Sequence, residues 1–263
     1  MQFELNGDTV YASTGGVSHE KDKPTLVFVH GAGMDHTIWV LFNRFFARAG
    51  FNTFAIDLPA HGKSEGTALT DIEGMADWLL EALHAAGIKQ FSLIGHSMGS
   101  LICIDAAAKA NNNLTKLVLL GTACPMPVGE PLLDAARSNH SSAIDMIMLF
   151  GHAYASQLGG NPVAGVHIVN SSIRLLERAL HGPLYLDLNA CNEYKGGIDA
   201  AKLIKAPTTL ILGSEDKMTP RAASNELVAT LNNPTVELLG NCGHMMMSEK
   251  PELVHRAMVK TLS

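Results

Sequence analysis

The sequence predicts an α/β fold: a doubly wound, mostly parallel sheet with an inserted helical cap. Short, continuously apolar runs alternate with helix-forming segments along most of the chain. This alternation is typical of parallel strands that helices cover on both faces. It stops between residues 124 and 197, where the sequence favours helices and contains no buried-strand run. A Gly-x-Ser-x-Gly motif also lies where a predicted strand meets a predicted helix, a junction typical of this fold class.

The N-terminal part of the chain is predicted to form a hairpin followed by two buried strands. The Asn6-Gly7 pair is typical of the two-residue turn in a hairpin, here spanning residues 2–13. Apolar runs at 25–29 and 51–56 predict parallel strands, and Asp35 is suited to cap the helix between them. The chain therefore enters the sheet early and continues as strand, helix and strand.

The next helix and strand lead to the serine motif. The segment Thr70–Glu73 is a predicted capping box for a helix that ends at Gly87. A strand at 91–94 precedes Gly95-His96-Ser97-Met98-Gly99, and a helix-forming segment follows it. A serine in such a tight turn has a strained backbone and an exposed hydroxyl, and the two glycines let strand and helix approach closely. The motif therefore predicts a nucleophilic Ser97.

The remaining core elements are predicted on either side of the cap, as strands and helices at residues 117–120, 208–212, 219–231, 236–239 and 248–262. Thr219 is expected to be the N-cap of its helix, with Pro220 as the first helical residue. The predicted organisation is a core made of residues 1–123 and 198–263, with residues 124–197 as the cap.

Composition narrows the classes of partner. With 47% hydrophobic residues the chain can bury a sizeable core, and a net charge of −6 without a Lys/Arg block argues against nucleic acid or an anionic membrane. The chain lacks an apolar run of membrane-spanning length and a secretory signal pattern. Four scattered cysteines are expected to be free thiols: Cys103, Cys124, Cys191 and Cys242. The sequence predicts a cytoplasmic protein acting on a small molecule, without membrane insertion and with no indicated oligomeric state.

A nucleophilic serine needs a base, and that base needs an orienting acid. In a doubly wound sheet, active residues collect beyond the carboxyl ends of the strands. Asp216 follows the strand predicted at 208–212, and His244 follows the one at 236–239. Ser97, Asp216 and His244 are therefore the candidate catalytic residues.

Five motifs follow one another along the chain, each beside a predicted strand: His30-Gly31-Ala32-Gly33, Asp57-Leu58-Pro59-x-His61-Gly62-x-Ser64, Gly95-His96-Ser97-Met98-Gly99, Gly213-Ser214-Glu215-Asp216 and Gly243-His244. In these motifs and their order the chain resembles the α/β-hydrolase superfamily over essentially its whole length, in its serine-nucleophile, esterase-like branch with a helical cap. The resemblance implies that Ser97 is the nucleophile, His244 the base and Asp216 the orienting acid. It further implies an oxyanion hole formed by the backbone N–H groups of Ala32 and Met98. Ser100 is a departure, since many relatives have a second glycine there.

Other residues near these motifs allow alternative interpretations. Glu215 adjoins Asp216 and is an alternative acid. Asp57 and His61 are expected to brace loops, and His30 is expected to be a structural histidine at the sheet edge.

His96 and Met245 are candidate substrate contacts, although packing explains a methionine beside the histidine loop equally well. Cys242 is expected to be a small packing residue and not a second nucleophile. The histidines of the cap lack regular ligand spacing, so we expect no metal, and the glycine-rich loop at residues 30–33 lacks the dinucleotide pattern, so we expect no cofactor.

The residue types favour one reaction among several. Relatives that open epoxides or displace halide carry an aspartate where this chain has Ser97, so acyl transfer to water is expected instead. The leading hypothesis is hydrolysis of a carboxylic ester of a small to medium, fairly apolar substrate through an acyl-serine intermediate. Alternatives are a C–C bond hydrolase, lactonase, thioesterase or perhydrolase with the same triad, and a non-catalytic or slow receptor-like protein. Arg174 and Arg178, one helical turn apart, could bind an anionic substrate but are more typical of a solvated helix face.

Overall fold

A computed structural model describes residues 1–160 and 167–262. The described residues form one sheet of eight strands, β1 (Gln2–Leu5), β2 (Asp8–Ser13), β3 (Thr25–Val29), β4 (Asn52–Ile56), β5 (Phe91–His96), β6 (Leu114–Leu120), β7 (Thr208–Gly213) and β8 (Thr235–Leu239). Their order is β1-β2-β4-β3-β5-β6-β7-β8. Only the pairings of β2 with β1 and β4 are antiparallel. The predicted fold class, a mostly parallel α/β sheet, is confirmed.

The helices of the described residues are α1 (Val40–Arg48), α2 (Ile72–Ala85), α3 (Met98–Lys109), α4 (Glu130–Arg137), α5 (Ser142–Gly151), α6 (Tyr154–Gln157), α7 (Ile168–Ala179), α8 (Leu184–Glu193), α9 (Gly197–Leu203), α10 (Asn225–Thr230), α11 (Met246–Glu249) and α12 (Pro251–Leu262), with 3-10 turns at 36–39, 111–113 and 221–224. Helices α4 to α9 lie between β6 and β7. We call the described part of residues 124–197 the helical insertion. Its treatment as a separate cap domain stays a prediction. No helix among the described residues is long and apolar enough to cross a membrane.

The sheet is packed on both faces. One face contributes Val27, Val29, Leu93, Leu117 and Leu119 to a core that includes residues of α2 and α3. The opposite face contributes Leu26, Phe28, Ile94, Val118 and Leu120 to a core with residues of α1 and α12. Successive residues of one strand therefore enter different cores, which explains why these strands are apolar throughout. The helical insertion has its own apolar cluster, which also includes Met34 and Met245 from the sheet side.

The strand order reverses between the neighbouring strands β3 and β5, because β4 lies on the other side of β3. Such a reversal opens a crevice at the carboxyl ends of the two strands. The loop after β3 contains Ala32, and the residue after β5 is Ser97. The topology therefore brings these two segments together at one edge of the sheet.

Three details of the predicted helices are wrong. Asp71, not Thr70, is the N-cap of α2, and its carboxylate accepts the Gly74 N–H at 2.7 Å. The predicted helix at 248–262 is divided into α11 and α12, since Pro251 has no N–H for a continuous helix. Thr219 is not a helix cap: the 3-10 turn begins after Pro220, and the Thr219 side chain has another partner. The four cysteines are free, as predicted, and all are buried.

Candidate active site

Ser97 lies in a strained turn between β5 and α3. Its φ of 54° and ψ of −121° are outside the regions that residues with a side chain favour. A Cβ at Gly95 would collide with the Gly99 carbonyl, and one at Gly99 would collide with the Val29 carbonyl. The two motif glycines are thus required by close backbone packing. This packing keeps Ser97 in its strained conformation at the tip of the turn.

His244 and Asp216 form a buried pair at the carboxyl ends of β8 and β7. The Nδ1–H of His244 donates to Asp216 Oδ2 at 2.8 Å. Burial alone would raise the pKa of Asp216, but the charge and hydrogen bond of His244 together with donors from Thr219 lower it overall. The carboxylate is therefore ionised at neutral pH and fixes the orientation and tautomer of the imidazole.

Thr219 is an additional partner of this pair that sequence reasoning missed. Its hydroxyl donates to Asp216 Oδ2 at 2.7 Å and lies 3.1 Å from His244 Nδ1. The backbone N–H groups of Met218 and Thr219 donate to the other carboxylate oxygen, Oδ1, at 2.9 and 2.8 Å. Since both oxygens are hydrogen-bonded, the carboxylate has one well-defined orientation.

Ser97 and His244 line the same cavity. The His244 Nε2 atom is buried and has no hydrogen-bond partner among the described residues, so its lone pair is available. No hydrogen bond joins the Ser97 hydroxyl to it. Gly31 and Gly121 leave room for the two side chains, because a Cβ at Gly31 would lie 3.2 Å from Ser97 Cβ and one at Gly121 would lie 3.0 Å from His244 Nδ1.

Two backbone N–H groups near Ser97 have no acceptor among the described residues. Met98 is the first residue of α3, where helix geometry leaves the N–H unpaired. Ala32 lies in the turn that the Met34 N–H closes on the Gly31 carbonyl at 3.1 Å. Neither the Met98 nor the Ala32 N–H donates to any described residue. Both are therefore free to bind an oxygen of a ligand.

Two buried histidines beside the site, His30 and His96, are neutral and differ in the ring nitrogen that carries the proton. The His30 Nδ1–H donates to the Gly31 carbonyl at 2.9 Å, while its Nε2 accepts the Leu58 N–H at 3.2 Å, so this ring is neutral. Burial and the nearby His61 lower the pKa of His30 to about 4. His96 is fully buried, its Nε2–H donates to the His244 carbonyl at 2.9 Å, and burial lowers its pKa to about 3. His96 does not line the cavity, so the substrate contact expected from it is not found.

The cavity at Ser97 has a volume of about 400 Å³. Its walls come from the loop after β3, the helical insertion and the loops that carry Asp216 and His244. Most of the lining residues are apolar, among them Met34, Met126, Val128, Leu132, Ile147, Phe150, Leu188 and Met245. Lys217, which is exposed, is the one charged side chain among the described lining residues. A second cavity of about 540 Å³ lies between α7 and the segment before α1, and it shares Met34 and Met245 with the first. The site is therefore suited to an uncharged, apolar ligand.

One cluster has the composition of a metal site. Asp35, His36 and Asp57 offer ligand atoms within 4.8 Å of one another. The Asp57 carboxylate already accepts hydrogen bonds from the His36 and Lys63 N–H groups and the His36 ring, and Asp35 pairs with Arg178 at 2.9 Å. These contacts explain the cluster as loop bracing. The expectation of no metal and no cofactor stays a prediction.

Comparisons with known proteins agree with this fold. A model of the Alpha/beta hydrolase family matches residues 26–257. The chain therefore belongs to the alpha/beta hydrolase family and is an enzyme of that superfamily.

Several hydrolases are among its relatives. The chain is 28% identical over 252 residues to a 2-hydroxy-6-oxononadienedioate/2-hydroxy-6-oxononatrienedioate hydrolase of Burkholderia vietnamiensis, covering 90% of this chain and 86% of that protein. It is 25% identical to a pimeloyl-[acyl-carrier protein] methyl ester esterase of Aromatoleum aromaticum, covering 88% and 95%. Its fold is similar to that of the enol-lactonase from Burkholderia xenovorans LB400, with a TM-score of 0.83, 20% identity and coverage of 100% and 99%. The superfamily resemblance drawn from the motifs is confirmed.

Proposed function

We propose that the protein is a serine hydrolase that cleaves a carboxylic ester of a small to medium, fairly apolar substrate. One observation carries the proposal. Ser97, Ala32 and His244 line one largely apolar cavity, and His244 is held by Asp216. The Met98 N–H, next to Ser97 in the chain, and the Ala32 N–H have no acceptor among the described residues. This set supplies a nucleophile, a base and an oxyanion site in one place.

The proposed reaction has two halves. His244 Nε2 takes the proton of the Ser97 hydroxyl as its oxygen attacks the ester carbonyl, and the Ala32 and Met98 N–H groups stabilise the oxyanion. The imidazolium then gives that proton to the leaving alcohol, which leaves an acyl group on Ser97. In the second half His244 deprotonates a water that attacks the acyl group, and Ser97 regains its proton as the acid is released.

The helical insertion is proposed to act as the cap that selects the substrate. It supplies Met126, Leu132 and Phe150 to the cavity wall, whereas the proposed reacting groups come from loops of the sheet. Residues 124–197 are accordingly proposed to be the cap, and the location of the protein is proposed to be cytoplasmic.

The cavity lining favours an ester over the main alternative, a C–C bond hydrolase. The relative from Burkholderia vietnamiensis is named for a dioate substrate, which carries two carboxylates. Here Lys217 alone supplies positive charge among the described lining residues, while Arg174 and Arg178 are engaged with Glu177 and Asp35. A neutral ester fits this lining better than a dianion does, since a buried charge without a partner is costly.

A substrate panel tests the proposal. Nitrophenyl esters of increasing chain length are compared with a vinylogous diketone acid, a lactone and a thioester, using the wild type and Ser97→Ala. We expect ester turnover that Ser97→Ala abolishes. Faster turnover of the diketone acid than of every ester would favour the C–C hydrolase. Wild type that is inert towards all substrates would contradict the proposal.

Labelling with a fluorophosphonate separates an enzyme from a receptor-like protein. The wild type should be labelled at Ser97, and Cys242→Ala should be labelled equally, because that cysteine is buried and faces no described cavity. Labelling of Cys242 in place of Ser97 would overturn the assignment of the nucleophile. A protein that resists labelling would be a non-catalytic member of the superfamily.

A further inference from the structure

A carboxylate of the helical insertion reaches the loop that carries Ala32. Asp187 of α8 is fully buried, and its Oδ2 accepts hydrogen bonds from the Gly33 N–H at 2.7 Å and from His61 Nε2 at 2.8 Å. Its other oxygen, Oδ1, has no partner among the described residues. Both of these hydrogen bonds therefore connect the insertion to loops at the carboxyl edge of the sheet.

The partner of Asp187 is a doubly protonated histidine. His61 Nδ1 lies 2.9 Å from the Pro59 carbonyl, which can only accept, so Nδ1 carries a proton. Its Nε2 faces the carboxylate and carries a second proton. Burial would lower the pKa of His61, but the charge and hydrogen bond of Asp187 outweigh it and raise the pKa overall. The two opposite charges allow both groups to be buried together.

Gly33 is held by the insertion through packing as well as through this hydrogen bond. Its φ of +65° is in the left-handed region, and a Cβ there would lie 2.7 Å from Leu184 and 3.1 Å from Leu176. Helices α7 and α8 therefore lie directly against the turn formed by residues 31–34. The unpaired Ala32 N–H belongs to this turn, one residue before the N–H that Asp187 accepts.

We infer that Asp187 is a positioning residue that fixes the turn at residues 31–34, so that the helical insertion sets the direction of the Ala32 N–H. The catalytic part of this inference rests on the proposed function. Without the Asp187 acceptor, the turn can rotate its peptide groups and the Ala32 N–H no longer has a fixed orientation towards Ser97. Asp187 touches no reacting atom and acts only through the Gly33 N–H.

Two variants separate the hydrogen bond from the charge. Asp187→Asn keeps an oxygen for the Gly33 N–H and places its NH₂ at the position of Oδ1, which has no partner. Asp187→Ala removes the acceptor. We expect Asp187→Ala to lower kcat roughly 10- to 100-fold with KM changed less than about threefold, as for a group that acts in the transition state. Asp187→Asn should restore most of kcat.

Hydrogen exchange gives a readout that does not need catalysis. In Asp187→Ala, peptides covering residues 30–36 should exchange at least about tenfold faster than in the wild type, because a buried hydrogen bond is lost. In Asp187→Asn they should stay close to the wild type. Ser156→Ala is the matched control, since it removes a different contact of the insertion with the core, the 2.8 Å bond from Ser156 to Glu249. Peptides of β5 report whether each variant is folded.

Unchanged exchange of residues 30–36 in folded Asp187→Ala would overturn the inference even if the protein is an esterase. Equal losses of kcat in Asp187→Asn and Asp187→Ala would also overturn it, because the hydrogen bond would then be irrelevant. If Asp187→Ala does not fold, Asp187→Asn decides: faster exchange of this turn in that folded variant would contradict the role of the Gly33 bond. A wild type without any activity would refute the proposed function and leave the exchange result to stand by itself.

Discussion

The strand-end loops and the helical insertion both build the site, but they are connected to it differently. Asp216 and His244 follow adjacent parallel strands, so that their contact at 2.8 Å results from the sheet itself. Asp187 contacts Gly33 from 154 residues away, and Glu249 accepts the Ala153 N–H from 96 residues away. The loops are placed by strand pairing, whereas the insertion is held by apolar packing and by buried carboxylates that bind backbone N–H groups. Variants in the two regions should therefore fail in different ways.

The largest effect is expected in the strand-end loops, from Asp216→Asn. The amide oxygen can still accept the Met218 and Thr219 N–H groups, but its NH₂ then faces His244 Nδ1 and favours the wrong tautomer. We expect kcat for a nitrophenyl ester to fall about 10⁴-fold with an unchanged melting temperature. Glu215→Gln is the control and should keep activity, because among the described residues the Glu215 carboxylate accepts a single hydrogen bond, from the Tyr154 N–H at 3.3 Å. The reverse result would make Glu215 the acid.

The strand-end half of the site was predictable because its geometry follows from strand order. Apolar runs identify β3, β5, β7 and β8, and a parallel sheet brings their carboxyl ends to one edge. Thr219 was missed because Thr-Pro is also a common helix start, and only the fold shows that its hydroxyl reaches Asp216. Ala32 and Met98 were found only through the resemblance. Their roles in the reaction stay proposals.

The insertion was predictable only as a set of helices. A helix sequence shows which face is apolar but not what that face packs against, so nothing in the sequence connects Asp187 of α8 with Gly33. The same holds for Glu249, which lies in a segment predicted as ordinary helix. An acidic residue between apolar residues in a helical stretch, such as the Leu-Asp-Leu at residues 186–188, is the one sequence signal that could have indicated a buried partner.

Removing the buried carboxylate of Glu249 is expected to lower the stability of the protein more than its activity. Glu249 accepts hydrogen bonds from the Ala153 N–H, the Ser156 hydroxyl and the Gly243 N–H. Glu249→Ala leaves these donors without an acceptor, at a cost of about 1–3 kcal/mol for each unsatisfied buried group. Part of this cost is offset, since burial raises the pKa of Glu249 and its charge is costly to bury. We expect a net loss of about 3 kcal/mol in urea unfolding.

Ser156→Ala tests the same contact by removing one of the three hydrogen bonds that Glu249 accepts. It removes one donor and should cost about 1 kcal/mol, without altering the other two hydrogen bonds of Glu249. Equal stability of Glu249→Ala and the wild type would show that the insertion is not held by this carboxylate.

Stability should decrease on acidification, because three buried histidines are neutral in the fold. Burial lowers the pKa of His30 and His152 to about 4 and that of His96 to about 3. An unfolded histidine binds its proton near pH 6.5, so below that pH the unfolded state binds more protons and gains stability. Each group should contribute up to about 1.4 kcal/mol per pH unit between pH 6.5 and about 4. His61 has the opposite sign, since its raised pKa stabilises the fold at low pH.

The contributions of the two regions to this pH dependence can be measured separately. His152 belongs to the insertion, whereas His30 directly follows β3 and His96 is the last residue of β5. The free energy of unfolding of His152→Gln, measured by urea at several pH values, should have a slope against pH smaller by about one proton. An identical slope in variant and wild type would contradict a neutral, buried His152.

The smallest effect is expected at Met245, where the two cavities share a wall. Met245 is nearly buried and lines both the cavity at Ser97 and the larger one beneath α7. Met245→Ala should join the two spaces, so that longer acyl chains fit. We expect kcat/KM for a ten-carbon ester relative to a four-carbon ester to rise about five- to tenfold, which corresponds to about 1 kcal/mol. Met247→Ala is the matched control, because Met247 lines only the larger cavity. The same rise in both variants would show that the loop carrying His244 is loosened in general. No rise in Met245→Ala would show that the two cavities stay separate and that the substrate is limited to about 400 Å³.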